Sequence, residues 1–164
     1  MTFEEYVLAR GPALVRLARL LARDTHRAED LVQDVLARAY PRWRHIMRAD
    51  RPDVYVRRML VNLNNSWWRR RNNREVVLGF PVDGPATGDL SAESADRDAM
   101  WQLVATLPPR QRAVLVLRYY EDLDDTTIAE ILGCSPVTVR THAMRALAAL
   151  RTRAPRLLTE EPAR

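Results

Sequence analysis

The chain has 164 residues, 47% of them hydrophobic, enough for one ordinary domain or two small ones, and general disorder is excluded. The formal charge of +5 and the sequence pI of about 10.1 favour an anionic partner such as nucleic acid. All 26 basic side chains are arginine, and the single cysteine, Cys134, rules out an internal disulfide and fits a reducing cytoplasm. Neither a signal peptide nor an apolar run of bilayer length is expected, so membrane insertion is not.

Thr2 to Arg23 is helical in pattern. Phe3, Tyr6 and Val7 form one apolar face and Leu14, Leu17, Ala18 and Leu21 a second, with Gly11-Pro12 predicting a break or a kink between them. A loop over Asp24 to His26 is expected next. Ala28 to Tyr40 follows as a short amphipathic helix, with Ala28, Val32, Val35, Leu36 and Ala39 inward. Asp30, Asp34 and Arg38 line its outer side, flanked by Gln33 and Leu31, and Pro41 ends it. Taken alone, that outer side is a solvated face with an Asp34–Arg38 pair.

Residues 42–74 change character: Arg42, Arg44, Arg48, Arg51, Arg57, Arg58, Arg69, Arg70, Arg71 and Arg74 stand against Asp50 and Asp53 alone. Pro52 suits the start of a helix running to about Arg71, with Val56, Met59, Leu60, Leu63 and Trp67 as its buried stripe. The opposite face carries Arg58, Asn62, Asn65 and Arg69, with Trp68 beside the row. Asparagine is a poor helix former, so two on one row call for a reason. Asn amides pair with base edges, Arg with phosphate, and an exposed indole stacks on an unpaired base. The plainer account is a solvated Arg-rich helix over two core tryptophans.

Residues 76–95, rich in Gly, Pro, Asp and Ser, form a linker that divides the chain into two helical domains. Asp96 to Thr106 resumes as a helix. Pro108 and Pro109 start another, toward Tyr120. Asp124 N-caps Asp125 to Leu132, Gly133 ends that helix, Ser135 caps the next and Pro136 sits at its first position. Helix, glycine corner and helix make a helix-turn-helix. In the last helix Val139, Ala143, Ala146, Leu147 and Leu150 face inward. Val137, Thr138, Thr141, Met144 and Arg145 face outward, with Arg140 and His142 on the shoulders. That outer face suits base edges and phosphates in a major groove, although a hairpin that merely packs has the same outline.

Four strings carry a family resemblance: AEDLVQDVLARAY (Ala28 to Tyr40), YVRRMLVNLNNSWWRRR (Tyr55 to Arg71), LPPRQRAVLVLRYYEDL (Leu107 to Leu123) and IAEILGCSPVTVRTHAMRALAALR (Ile128 to Arg151). With them the chain resembles the extracytoplasmic-function (ECF) group of bacterial sigma-70 family sigma factors, and within it the actinobacterial SigE-type subgroup. The resemblance implies an all-α protein: region 2 over residues 1–75, the linker over 76–95, region 4 over 96–153 and a tail over 154–164. It implies a factor that binds core RNA polymerase through the β′ clamp helices and β flap and directs promoter-specific initiation in the cytoplasm. It also admits an anti-sigma factor as partner.

Residue by residue, the resemblance assigns polymerase contacts to Asp30, Gln33, Asp34 and Arg38. It places −10 recognition and melting on Arg48, Arg58, Asn62, Arg70 and Arg71, with Asn65, Trp68 and Arg69 added by helical geometry. It places −35 recognition on Ser135, Val137, Thr138, Arg140, Thr141 and Arg145. Pro41 and His142-Ala143-Met144 depart from the usual family pattern, so the −35 sequence does not carry over.

An enzyme is not expected. His26, His45, His142 and Cys134 lack metal-ligand spacing, no cofactor motif is present, and no Gly-rich phosphate loop or nucleophile motif occurs. The alternative in a different class is a helix-turn-helix regulator that acts on duplex without replacing sigma.

Overall fold

The computed structural model describes residues 1–78 and 95–154, with side chains for 1–74 and 99–154. Eight α-helices follow in order among these residues: α1 (Phe3–Ala22), α2 (Thr25–Ala39), α3 (Trp43–Arg48), α4 (Pro52–Leu78), α5 (Ala95–Ala105), α6 (Pro109–Leu115), α7 (Asp125–Leu132) and α8 (Pro136–Arg153). No strand occurs among them. The all-α fold expected from the sequence is therefore observed. Most of the linker and the tail beyond Ala154 lie outside the described residues.

The first four helices share one core. A capping box opens α1, with Thr2 accepting from the Glu5 amide at 3.1 Å and Glu5 accepting from the Thr2 amide at 2.7 Å. Of the expected break or kink, the break does not occur: α1 continues uninterrupted through Pro12. The bond lost there is the one to the Leu8 carbonyl, and Leu8 is 81% exposed, on the solvent side of the helix where such a loss is cheapest. The expected loop at Asp24–His26 is instead a cap. The Asp24 carboxylate accepts from the amides of His26 and Arg27, and α2 begins at Thr25. Leu31, placed by sequence on a polar flank, is buried against α1. After Ala39 the chain makes a single 3₁₀ turn, Tyr40–Arg42, where Pro41 cannot continue the α-helical ladder. Phe3 then meets Tyr40 and Trp43 edge-on, Tyr6 packs on Trp43 at a tilt, and the Trp43 indole donates to the Met1 carbonyl.

The second half follows its punctuation closely. Asp124 accepts from the Thr127 amide at 2.7 Å. Gly133 closes α7 in the left-handed region at φ 67°, and Ser135 accepts from the Thr138 amide. A π turn, Val116–Tyr120, follows α6, which swings Tyr119 and Tyr120 toward solvent.

α4 departs most from expectation. It continues to Leu78 rather than ending near Arg71. Its buried residues are Val56, Leu60, Val61, Asn64 and Trp68, whereas Met59, Leu63 and Trp67 are half-buried. On a helical wheel this stripe is rotated by roughly 70° from the expected one. The cause is that α4 is wedged between two neighbours: α1 and α2 cover one side, and α6 and α7 of the second domain cover the next.

Candidate nucleic-acid interface

The two domains meet along a polar seam. Arg57 of α4 donates twice to Glu121, at 3.1 and 2.9 Å, and both side chains are largely shielded. Arg51 donates to Thr127 at 3.0 Å and reaches Glu130 at 3.5 Å. At the centre lies Arg112 of α6, 2% exposed and without a carboxylate partner among the described residues. Its guanidinium donates instead to the carbonyls of Leu21 and Leu107, each at 2.8 Å, and of Ala105 at 3.2 Å. Leu21 lies in the last turn of α1, where the helix dipole presents its negative end. The same carbonyl accepts from Asn64 Nδ2 at 3.2 Å. Burial, and then Arg23, pull the Arg112 pKa down to about 10, so the group stays charged at neutral pH.

This seam corrects one site assignment. Trp68 is not exposed beside the Asn row but 6% exposed, covered by Arg112 at 5.3 Å from its ring centroid. Trp67, expected in the core, is the more open of the pair, with the Arg27 guanidinium 3.8 Å from its centroid. Arg71 is half-buried and also lies over both indoles. Asn65 is half-buried too, while Arg58, Asn62, Arg69 and Arg70 are exposed. Arg58 leans toward the second domain, its Nη2 within 3.8 Å of the place a Cβ would take on Gly133. Arg48 is exposed in the last turn of α3.

Asn62 sits on a groove of about 670 Å³ between α4 and the end of α2. Met59, Leu63 and Pro41 give it apolar surface; Arg38, Arg42, Asn62 and Ser66 give it polar groups. Arg38 and Asn62, expected in separate tasks, thus share one concavity. Asp30, Gln33 and Asp34 are exposed on α2, and no Asp34–Arg38 bridge forms among the described residues.

On the second domain, α8 presents Val137, Arg140, Met144 and Arg145 to solvent, with Thr138 and Thr141 half-buried. Ser135 spends its hydroxyl on capping. Arg140 lies 3.8 Å from Asp125, which also holds Arg118.

Sequence reasoning missed Arg51, Arg57, Asn64, Arg112 and Glu121. One signal was present for Arg112. It shares a helix face with Val116, four residues on, and so occupies a position where an apolar residue is expected.

An all-helical chain with a cationic groove on one domain and a helix-turn-helix on the other defines a class of two-domain nucleic-acid-binding protein. The comparisons then narrow it. Sigma-70 region 2 matches residues 7–74 and Sigma-70, region 4 matches residues 97–150. The RNA polymerase sigma-E factor of Streptomyces coelicolor is 40% identical over 151 residues, covering 92% of this chain and 85% of that protein. The ECF RNA polymerase sigma factor ShbA of Streptomyces griseus is 31% identical, covering 83% and 76%. In fold, the chain is similar to the sigma factor RpoE of Bartonella quintana solved with the anti-sigma factor NepR. That match has a TM-score of 0.79 at 24% identity and covers 97% of this chain and 98% of that one. The chain belongs to the ECF group of the sigma-70 family, and its function is to direct promoter-specific transcription initiation.

Proposed function

We propose that the groove around Asn62 receives a base of the −10 element after the strands part, while α8 holds the −35 element as duplex. The observation that carries this is the groove itself. Apolar Met59 and Leu63 suit the face of a base, the Asn62 amide suits its edge, and Arg38 and Arg42 suit the flanking phosphates. Binding only the unstacked form repays part of the few kcal/mol that extruding a base costs. The exposed arginines Arg48, Arg69 and Arg70 add salt-sensitive affinity. The chain makes no bond of its own in this scheme; core polymerase does the chemistry.

Core polymerase docks on Asp30, Gln33 and Asp34 of α2, with Arg38 at the boundary between polymerase and DNA. Both DNA elements cannot be held while the seam is closed. They lie about 25 base pairs apart, or about 80 Å at the rise of duplex, whereas α4 and α7 touch. The closed form is thus a resting state that opens on the polymerase and frees Arg58 for the melted strand. An anti-sigma factor, of the kind bound to the RpoE neighbour, is a third partner, and the setting is the cytoplasm. Run-off transcription tests this: core polymerase plus this chain should start specific transcripts from a genomic fragment library. Specific duplex binding by the chain alone, with no start sites, favours the plain regulator instead.

A further inference from the structure

We infer that α8 selects its −35 duplex through thymine methyl groups, with Met144 as the residue that sets this preference alongside Val137 and the methyl of Thr141. The inference rests on the assignment of α8 to the −35 element and names what that helix reads there.

Four observations carry it. Val137 is 62% exposed and Met144 69% exposed, both on the solvent face of α8. The hydroxyls that could have read base edges are already engaged: Thr141 Oγ1 donates to the Val137 carbonyl at 3.1 Å, and Ser135 and Thr138 are hydrogen-bonded to each other at 2.9 Å. Thr141 thus spends its proton within the helix and has a methyl left to offer. Third, Arg140 lies 3.8 Å from Asp125, while Arg110 and Arg145 are exposed and engaged in no ion pair among the described residues. Cations therefore flank the apolar stripe, as a surface laid between two phosphate backbones requires. Finally, the seven helical rises between Val137 and Met144 span about 10 Å, the length of about three base-pair steps. The only apolar group that bases present in the major groove is the C5 methyl of thymine. A stripe of methyls and a thioether between cations matches a run of A·T pairs and has nothing to offer the polar edges of G·C.

The test uses holoenzyme assembled from core polymerase and the full chain. Promoters are first selected from a library randomised over the −35 element, and enrichment of A·T pairs at two or three adjacent positions is expected. Those thymines are then replaced by deoxyuridine, which removes the methyl and keeps the pairing. Each replacement under α8 is expected to weaken promoter binding about three- to fivefold. In holoenzyme carrying Met144→Ala, the thymine-to-uracil ratio at one position is expected to fall below about twofold, while the thermal melting of the variant chain is unchanged. Equal binding of thymine and uracil promoters overturns the inference, as does a Met144→Ala ratio equal to that of the parent. Either result with specific transcripts intact leaves the sigma reading standing; failure to start any specific transcript removes both.

Discussion

The guanidinium of Arg112 donates to the carbonyl of Leu21 at 2.8 Å, joining residues 91 apart across the boundary between the two domains. Among the described residues no carboxylate offsets this buried charge; backbone carbonyls and the Trp68 ring do so. Removing the side chain strands the buried carbonyl of Leu107 and the part-buried one of Ala105. Arg112→Ala should therefore cost about 3 kcal/mol in urea unfolding. It should also raise the radius of gyration in small-angle scattering, with helicity retained. A radius equal to that of the parent would show that the seam closes without this residue.

The Arg57–Glu121 contact offers a second handle on the same boundary. Two donors of one guanidinium reach one shielded carboxylate oxygen. A double-mutant cycle with Arg57→Met and Glu121→Gln should return a coupling of about 1–2 kcal/mol. The control pair Arg19–Glu29, at 4.0 Å and half in solvent, should return close to zero.

Asn62→Ala should reduce open-complex formation about tenfold, the scale of one lost base-edge contact. Core binding should be unaffected, because Asn62 faces the groove rather than the outer side of α2. Permanganate footprinting of the −10 region checks this. Equal melting in variant and parent would remove the base-pocket assignment.

Asp30→Arg combined with Asp34→Arg reverses two exposed charges on α2 that make no ion pair within 4 Å. Both carboxylates act on Arg27 through space, and Arg27 lies on Trp67, so helicity should hold while the melting temperature falls slightly. Affinity for core polymerase should fall by about tenfold or more. Co-elution on gel filtration gives the readout.

His142 makes region 4 sensitive to acid. Burial first, then Arg110 and Arg145, lower its pKa below the usual value. The sign follows from linkage: at a pH between the lowered folded value and the unfolded value near 6.5, the unfolded chain binds the proton and the folded one resists it. Stability is therefore lost as pH falls through that window. Melting temperature should drop between pH 7.5 and 5.5, and His142→Gln should flatten the slope. Parallel slopes in the two proteins would assign the acid response to other groups.

Much of this was legible in the chain itself, and the reasons differ by element. Asp124, Gly133, Ser135 and Pro136 each satisfy or break backbone hydrogen bonds locally, so the helix-turn-helix could be placed to the residue. α4 could not be. Its wheel was resolved for one covering surface, and the second domain supplies another, which turned Trp68 inward and drew in Asn64. Asn62 kept its exposed place because it lies opposite both coverings. Arg112 gave only one faint signal, its place on an apolar face, for a related reason. Its partners are carbonyls at helix ends far away in sequence, and no pattern of side chains announces a backbone oxygen.

The shared acceptor at Leu21 has one more consequence. A single oxygen at the tail of α1 takes hydrogen from Asn64 and from Arg112, so a small tilt of that helix severs both links together. The seating of α1 on α4 and the closure of the boundary between the halves are thereby tied to the position of one oxygen atom.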